Sequence, residues 1–549
     1  MSGLNGTHRF GRGVQGRLCI AALSAAACAG AHAQVFQLAY GTPGIEVAND
    51  VIDTVDCSLV TAGVQQAVGA ARSSLHVVKY TSDGTPIWSS LYNLAQGSAV
   101  GYTIQQTSDG GYIVGGESAF GGNSLAKYVL RLGPAGNVIG SALLSGSPFL
   151  SQGLGVSVRE LSDRSIVSVN RRSVGTTALL SGVYTRQTDT GVVLNNSVYA
   201  LAGFPNGSTL DFADVRELEA APAGIAPSLL GVVGNARIPI VGGQRFMAFA
   251  MVIDFSGNVV WARTYAHPAG FEITADGLAV GPGGDLYFSG RVAQSIGLNT
   301  PPDMIVARLD WATGVPDWAW QLSTAQDNIE IRNGYQAVQW HPRREIIVGA
   351  TVTRQVGDFG SLGAATFVFD PINGNLLRSQ TYGGLTQDSF NTGNAITEFR
   401  PWGGYVLAGA TGDVGLGQQD ILNIKTYTTL DSGCRQRELN PESLKLALVH
   451  EPRDLIRTAG EGTFVTTDRV NLTLGRTEIC FTKRCVGDLN GDGLVDNEDF
   501  LFFVAAYNNF LCPFPASLEC CPADFSNDGQ VDNNDFLLFV AAYNDLICP

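Results

Sequence analysis

The sequence predicts a mainly β protein: a seven-bladed β-propeller over residues 34–430, then a small α-helical loop–helix domain over 485–549. Three observations lead there. A loose unit of roughly 50–65 residues recurs seven times, the mark of a repeat architecture. Inside the units, glycine turns separate short apolar runs, which is the signal of β-hairpins. Near the carboxyl end, an acidic loop followed by an amphipathic segment is written twice.

The first element of each unit is an apolar run ending in a small residue or glycine. Its copies are Leu59-Val-Thr-Ala-Gly63, Tyr112-Ile-Val-Gly-Gly116, Leu229-Leu-Gly-Val-Val-Gly234, Leu286-Tyr-Phe-Ser-Gly290, Ile346-Ile-Val-Gly349 and Tyr405-Val-Leu-Ala-Gly409. Ser165-Ile-Val-Ser-Val169 is a degenerate seventh. The second element is a strand closed by a glycine turn, as in His76–Tyr80 before Asp83-Gly84 and Ala250–Asp254 before Gly257-Asn258. One such unit of about four strands leaves a face uncovered, so neighbours must stack, and a ring does so while exposing few edges. An open solenoid or a pair of sandwiches is the competing architecture. Val35–Tyr40 resembles the last strand of a unit, as in Leu376–Tyr382, so an amino-terminal strand is expected to complete the final blade. The strands around Ile87-Trp88 to Tyr92, Val260-Trp261 to Tyr265 and Gln380-Thr-Tyr-Gly-Gly384 resemble bacterial β-propeller repeat proteins, which implies the ring fold and little about activity.

Residues 431–484 read as a short linking β region, with Val470–Leu474 as a strand, His450–Arg453 as exposed loop, and Cys434–Cys480 as a staple closing a small hairpin unit. At the amino end, Arg9, Arg12 and Arg17 precede the apolar stretch Leu18–Gly30 and Ala31-His-Ala33, the pattern of a cleaved export signal over residues 1–33. The expected location is secreted or cell-surface, with the periplasm as the alternative, and no apolar segment is long enough for a transmembrane helix. Eight cysteines remain after cleavage, an even number that favours disulfides in an exported chain. If the two terminal helices pack antiparallel, each loop start meets the other helix's end. That arrangement predicts Cys485–Cys548 and Cys512 with Cys521 or Cys520.

The net charge is −15, and the 64 residues from Val486 onward carry 11 Asp and Glu but no Lys or Arg. Such a balance excludes a nucleic-acid partner, which needs a basic footprint. The acids are concentrated in Asp488-Leu-Asn-Gly-Asp-Gly-Leu-Val-Asp-Asn-Glu-Asp499 and Asp524-Phe-Ser-Asn-Asp-Gly-Gln-Val-Asp-Asn-Asn-Asp535. Positions 1, 3, 5, 9 and 12 hold oxygen-bearing side chains in both loops and position 6 is glycine, a spacing that suits a hard cation such as Ca2+. Each loop runs into a near-identical helix pattern, Phe500–Asn508 and Phe536–Asn544.

This pair resembles the type I dockerin domain. The resemblance implies two Ca2+ ions. One would be held by Asp488, Asn490, Asp492, Asp496 and Asp499, with the Leu494 carbonyl. The other would be held by Asp524, Ser526, Asp528, Asp532 and Asp535, with the Gln530 carbonyl; this site is weaker because Ser526 replaces an Asn. It also implies a cohesin-like or other surface protein as partner, read through loop positions 10 and 11. These are Asn497-Glu498 and Asn533-Asn534 here, in place of the family's Ser/Thr pair.

Catalytic motifs are thin. The mature chain has no His-Glu-x-x-His, Gly-x-Ser-x-Gly or Walker loop, and His76, His267, His341 and His450 are scattered. Carboxylate pairs for glycoside cleavage need only be close in space, with Asp303, Asp310, Asp388 and Asp420 as candidates. Trp261, Trp311, Trp318, Trp320 and Trp402 either stack on sugars or pack blades. The expectation is therefore a secreted, non-catalytic propeller offering a face to a protein or glycan and docking through its calcium module. The alternative is an extracellular polysaccharide-degrading glycoside hydrolase or lyase tethered by that module.

Overall fold

A computed structural model describes residues 34–545 apart from 95–96, 121–123, 147–155, 174–179, 203–207, 219–228, 241–242, 294–302, 324–326, 331–336, 342–344, 357–358, 384–389, 400–402, 460–462, 465–466, 484–486, 491, 493, 510–520 and 526–529. The predicted export signal, Asp388, Trp402, Ser526, Asp528, Cys485, Cys512, Cys520 and Cys548 lie outside the described residues.

Seven antiparallel sheets stand around one axis, so the chain is a seven-bladed β-propeller. Blade 1 is built from Ile45–Asp53, Leu59–Gln66, Ser74–Tyr80 and Pro86–Leu94, innermost strand first, and blades 2 to 6 follow in chain order. Blade 7 takes Asn391–Glu398, Tyr405–Thr411 and Asp420–Thr426 from the carboxyl side, and Gln34–Gly41 as its fourth strand. Phe36 pairs with Lys425 and Tyr40 with Ile421, so the amino-terminal strand closes the ring as the repeat pattern implied. Seven apolar clusters fill the gaps between successive blades, from Phe36, Leu38, Val51 and Val406 between blades 7 and 1 to Ile347, Ile396, Leu407 and Leu422 between blades 6 and 7.

The recurring tyrosine and glycine of the repeat form one joint. The phenol that ends a fourth strand donates to a turn carbonyl in the next blade: Tyr40 to Gly84 at 2.6 Å, Tyr92 to Gly136 at 2.6 Å, Tyr199 to Gly257 at 2.5 Å and Tyr265 to Gly314 at 2.8 Å. Gly84 has φ 79°, a conformation that side chains rarely adopt, and a Cβ there would stand 2.5 Å from the Tyr40 hydroxyl. Blade 7 makes the same joint without glycine, since Tyr382 donates to the carbonyl of Leu430 at φ 72°.

Residues 431–484 are more than a linking region. They supply a fifth strand to all seven blades. Gln436–Glu438 pairs with blade 6, Glu442–Lys445 with blade 5 and Val449–Pro452 with blade 4. Leu455–Ala459, Thr463–Phe464, Thr467–Asn471 and Gly475–Lys483 then add to blades 3, 2, 1 and 7. Sheet twist makes such a belt feasible. Each strand turns about 20–25° from the last, so the fifth lies roughly 80–100° from the axial strand and runs along the rim. His450–Arg453, expected as exposed loop, belongs largely to one of these strands; Glu451 faces out because one face of an edge strand meets solvent, while Arg453 folds back to donate to Thr264 at 2.8 Å. Leucines anchor the belt, with Leu439, Leu446 and Leu448 buried in the interblade cores.

Cys434 and Cys480 are bonded as expected, but the 46-residue separation they close encircles the whole disc instead of a small hairpin. Cys57 and Cys521 each take part in a disulfide as well. No helix of the described residues is long and apolar enough to cross a membrane.

Candidate functional site

The carboxyl-terminal module consists of two helices, α1 (Asn497–Asn509) and α2 (Asn533–Asp545), each preceded by one acidic loop. Phe503 and Phe539 stack with centroids 5.0 Å apart, and Ala506, Ala523 and Val531 complete a small core. The two units are reciprocal. Tyr507 of α1 donates to Asn533 at 2.6 Å, and Tyr543 of α2 donates to Asn497 at 2.7 Å. Position 10 of each loop, where the dockerin resemblance puts partner recognition, is thus bonded within the module.

The last two predicted ligands of each loop also cap its helix. Asp496 accepts the Glu498 N–H at 2.8 Å as N-cap, and Asp499 reaches back to the Asp496 N–H at 2.8 Å. The second loop repeats both bonds, Asn534 N–H to Asp532 at 2.7 Å and Asp532 N–H to Asp535 at 2.8 Å. Carboxylates here also face the positive end of the helix dipole. The other oxygen of Asp499 accepts the Leu489 and Asn490 N–H groups at 2.6 and 3.0 Å. Asp499 is fully buried, and burial, with the Asp488 charge adding to it, pushes its carboxyl up to about 6 against the pull of the backbone N–H groups.

Asp488, Asn490, Asp524 and Asp535 are buried, whereas Leu494 and Gln530, the predicted carbonyl donors, are exposed. Asp492 accepts the Leu494 N–H at 2.8 Å and the Asn490 amide at 3.0 Å. Among the described residues, no group of three or more His, Cys, Asp or Glu is poised together to hold a metal. The first loop also meets the propeller: a Cβ on Gly403, in the turn between the first two strands of blade 7, would stand 2.7 Å from the Asn490 carbonyl.

The residues raised as catalytic candidates have structural partners. Asp310 accepts the Thr313 N–H and hydroxyl at 2.8 and 2.6 Å, capping a turn. Asp303 accepts the Gln321 amide at 2.5 Å, and Asp420 accepts the Leu416 N–H at 2.6 Å. Burial raises both carboxyls. The tryptophans join blades: Trp261 donates to the Trp311 carbonyl at 2.7 Å, and Trp318 and Trp320 donate to Pro371 and Asn373 of blade 6, each at 3.1 Å. His267 stacks on Phe271 at 4.7 Å, and His450 meets Arg263 at 3.1 Å.

His76 is buried against Ser89 at 2.8 Å, and burial lowers its imidazole to about 3. The unfolded chain takes up this proton below about pH 6.5 while the folded chain does not, so the His76 contribution falls by roughly 1.4 kcal/mol per pH unit between about 6.5 and 3. Asp50 and Asp211, raised by burial to about 7 and about 6, act in the opposite sense, because the folded chain holds their protons first. The His76 share is isolated by comparison with His76→Asn: the stability difference between wild type and variant is expected to shrink on acidification. A difference independent of pH over that window would refute it.

A hub that the sequence reading missed lies near the axis. Asp214 is fully buried and gathers three blades: its carboxylate accepts Ser157 Oγ at 2.6 Å, Val215 N–H at 2.9 Å and Leu278 N–H at 3.1 Å. Arg159 and Arg216 stand 3.3 and 3.5 Å from it. Asp50 repeats part of the device, accepting the Ile104 N–H of blade 2 at 2.7 Å. The recurring Asp-Val at Asp50-Val51 and Asp214-Val215, each late in an innermost strand, was the available signal.

No family model matches the chain, and no curated protein matches it. Among solved structures, a mutant of the Synechocystis apocarotenoid oxygenase superposes with TM-score 0.36 and 13% identity over 76% of this chain and 98% of that one. A chimera of that oxygenase with RPE65 gives TM-score 0.31 and 13% identity over 73% and 95%. Likeness this low carries no argument about chemistry.

Proposed function

We propose that this chain is an exported, non-catalytic propeller that presents a rigid binding face, with a calcium-binding, dockerin-like tail that links it to an extracellular or cell-surface partner. The observation that carries the reading is the reciprocal pair of acidic loop–helix units. Their oxygen donors are of the kind Ca2+ takes, and two acids of the first loop, Asp488 and Asp499, are buried with like charges acting on one another, an arrangement a cation relieves. Ca2+ would be held by Asp488, Asn490, Asp492, Asp496 and Asp499, and by the corresponding residues from Asp524 to Asp535. The apolar outer faces of the helices, with Leu501 and Leu537 each 67% exposed, suit a cohesin-like or other surface protein.

A second reading has the tail clasp its own propeller, favoured by the approach of Asn490 to Gly403 and by the internal use of Asn497 and Asn533. A polysaccharide-degrading enzyme is a weaker alternative, since Asp303, Asp310 and Asp420 are engaged in turn and side-chain bonds. Calorimetric titration of the full chain with Ca2+ after chelation is expected to show two sites of unequal affinity, the weaker one lost in Asp535→Ala and the stronger in Asp499→Ala. A chain that takes up no Ca2+ would sink the proposal, and two equal sites would overturn the ranking. Calcium-dependent capture of a partner supports docking. A Gly403→Gln variant that alone releases the tail supports the clasp.

A further inference from the structure

The innermost strands end around a cavity of about 420 Å3 on the propeller axis. Six blades contribute polar residues to its wall, among them Asp53, Gln105, Arg159 with Glu160, Arg216, Gln339 and Thr397. Its volume falls in the range of small-ligand sites, and polar groups converging from rigid strands are what fix a ligand's orientation. We infer that this axial cavity is a binding site for a neutral, polyhydroxylated ligand of sugar size, such as the terminal unit of a glycan. The inference deepens the reading of the propeller as a binding platform and rests on it.

Three features point to that class. The wall mixes donors and acceptors: guanidinium and amide N–H groups stand opposite the Asp53 carboxylate, and a sugar hydroxyl both gives and takes a hydrogen bond. No positive charge is left over for an anion, because Arg159 and Arg216 share Asp214 at 3.3 and 3.5 Å and the wall also holds the carboxylates of Asp53 and Glu160. Arg159 is also held rigidly at the wall. It is only 4% exposed, and its guanidinium donates to the Val158 carbonyl at 2.7 Å and to Asp214. A donor fixed in this way meets a ligand without losing side-chain freedom on binding. The cavity opens among the turns that join the first two strands of each blade, since Val55 and Ser108 contribute to its wall. Gly403, which the tail approaches, lies in the corresponding turn of blade 7, so the mouth stays beside the calcium module.

The test uses the full chain and defined probes: the methyl glycosides of glucose, galactose and mannose, and the matching uronates, followed by calorimetry and saturation-transfer NMR. At least one neutral glycoside is expected to bind saturably, and Asp53→Asn and Gln339→Ala are each expected to weaken it tenfold or more with the denaturation midpoint unchanged. Three results would overturn the inference: no saturable binding of any neutral glycoside, saturable binding of uronates alone, or neutral binding that survives in both variants. Calcium titration of the same samples reports on the tail separately, so a cavity that ignores sugars removes this inference without touching the metal reading.

Discussion

Reducing the Cys434–Cys480 bond, or replacing both cysteines by serine, is expected to cost about 4 kcal/mol of stability in the chain-entropy account of a closed loop of this length. The bond spans 46 residues of sequence, and those residues cross the outer edge of every blade. With the hoop open, each fifth strand is held by its own few backbone bonds, and Thr463–Phe464 has only two residues with which to hold blade 2. Amide exchange in the reduced protein should therefore rise first over residues 436–479 while the inner strands keep their protection. Guanidinium titrations with and without reductant measure the total. A midpoint that does not move, with belt amides unchanged, would show that the belt holds by pairing alone. The double serine variant separates loss of this bond from reduction of the bonds at Cys57 and Cys521.

The second large effect is expected from Asp214→Ala. Removing one partner from a buried, hydrogen-bonded ion pair costs about 3–5 kcal/mol, because the remaining charge stays buried without its match. Here the loss leaves Arg159, itself only 4% exposed, and the orphaned Ser157 hydroxyl on blade 3, and the orphaned Leu278 N–H on blade 5. Chemical denaturation of variant and wild type checks the figure. A loss below about 1 kcal/mol would mean that water or Arg216 rearrangement replaces the carboxylate. Asp310→Ala, which removes only an exposed turn cap, is the natural comparison and should cost far less.

The ring was legible in the sequence because its rules are local. Glycine at a tight turn and tyrosine at a strand end repeat with the unit, and both are required by one short contact between neighbouring blades. Even the amino-terminal closing strand could be read, since Val35–Tyr40 carries the residues of a fourth strand without its own blade. The belt was not legible. Its strands run from two to nine residues, are largely polar on the solvent side, and pair with partners up to 449 positions away, so no period within residues 431–484 betrays them. The leucines at 439, 446 and 448 were the trace available, and they look like any linker leucines until the blades are placed. In the tail, the spacing of acids was plain, but their part in the helix caps was not: Asp499 and Asp535 accept the N–H groups of Asp496 and Asp532. Asp214 shows the same limit, because a strand-end aspartate reads as a turn cap unless the next blade's N–H is known to lie within reach.

The order of the chain gives the belt a further meaning. A strand at the rim of a sheet is an open template, and a polypeptide with unpaired edges tends to recruit another copy of itself. Until residues 436–483 are laid down, this disc has seven such rims at once, because the segment that covers them follows all seven blades in the chain. Gln34–Gly41, made before the blades, must also wait for Asp420–Thr426 on one side and Gly475–Lys483 on the other. A chain cut short after the seventh blade would therefore keep most of its core yet lose its solubility, turning one covered disc into the seed of an aggregate.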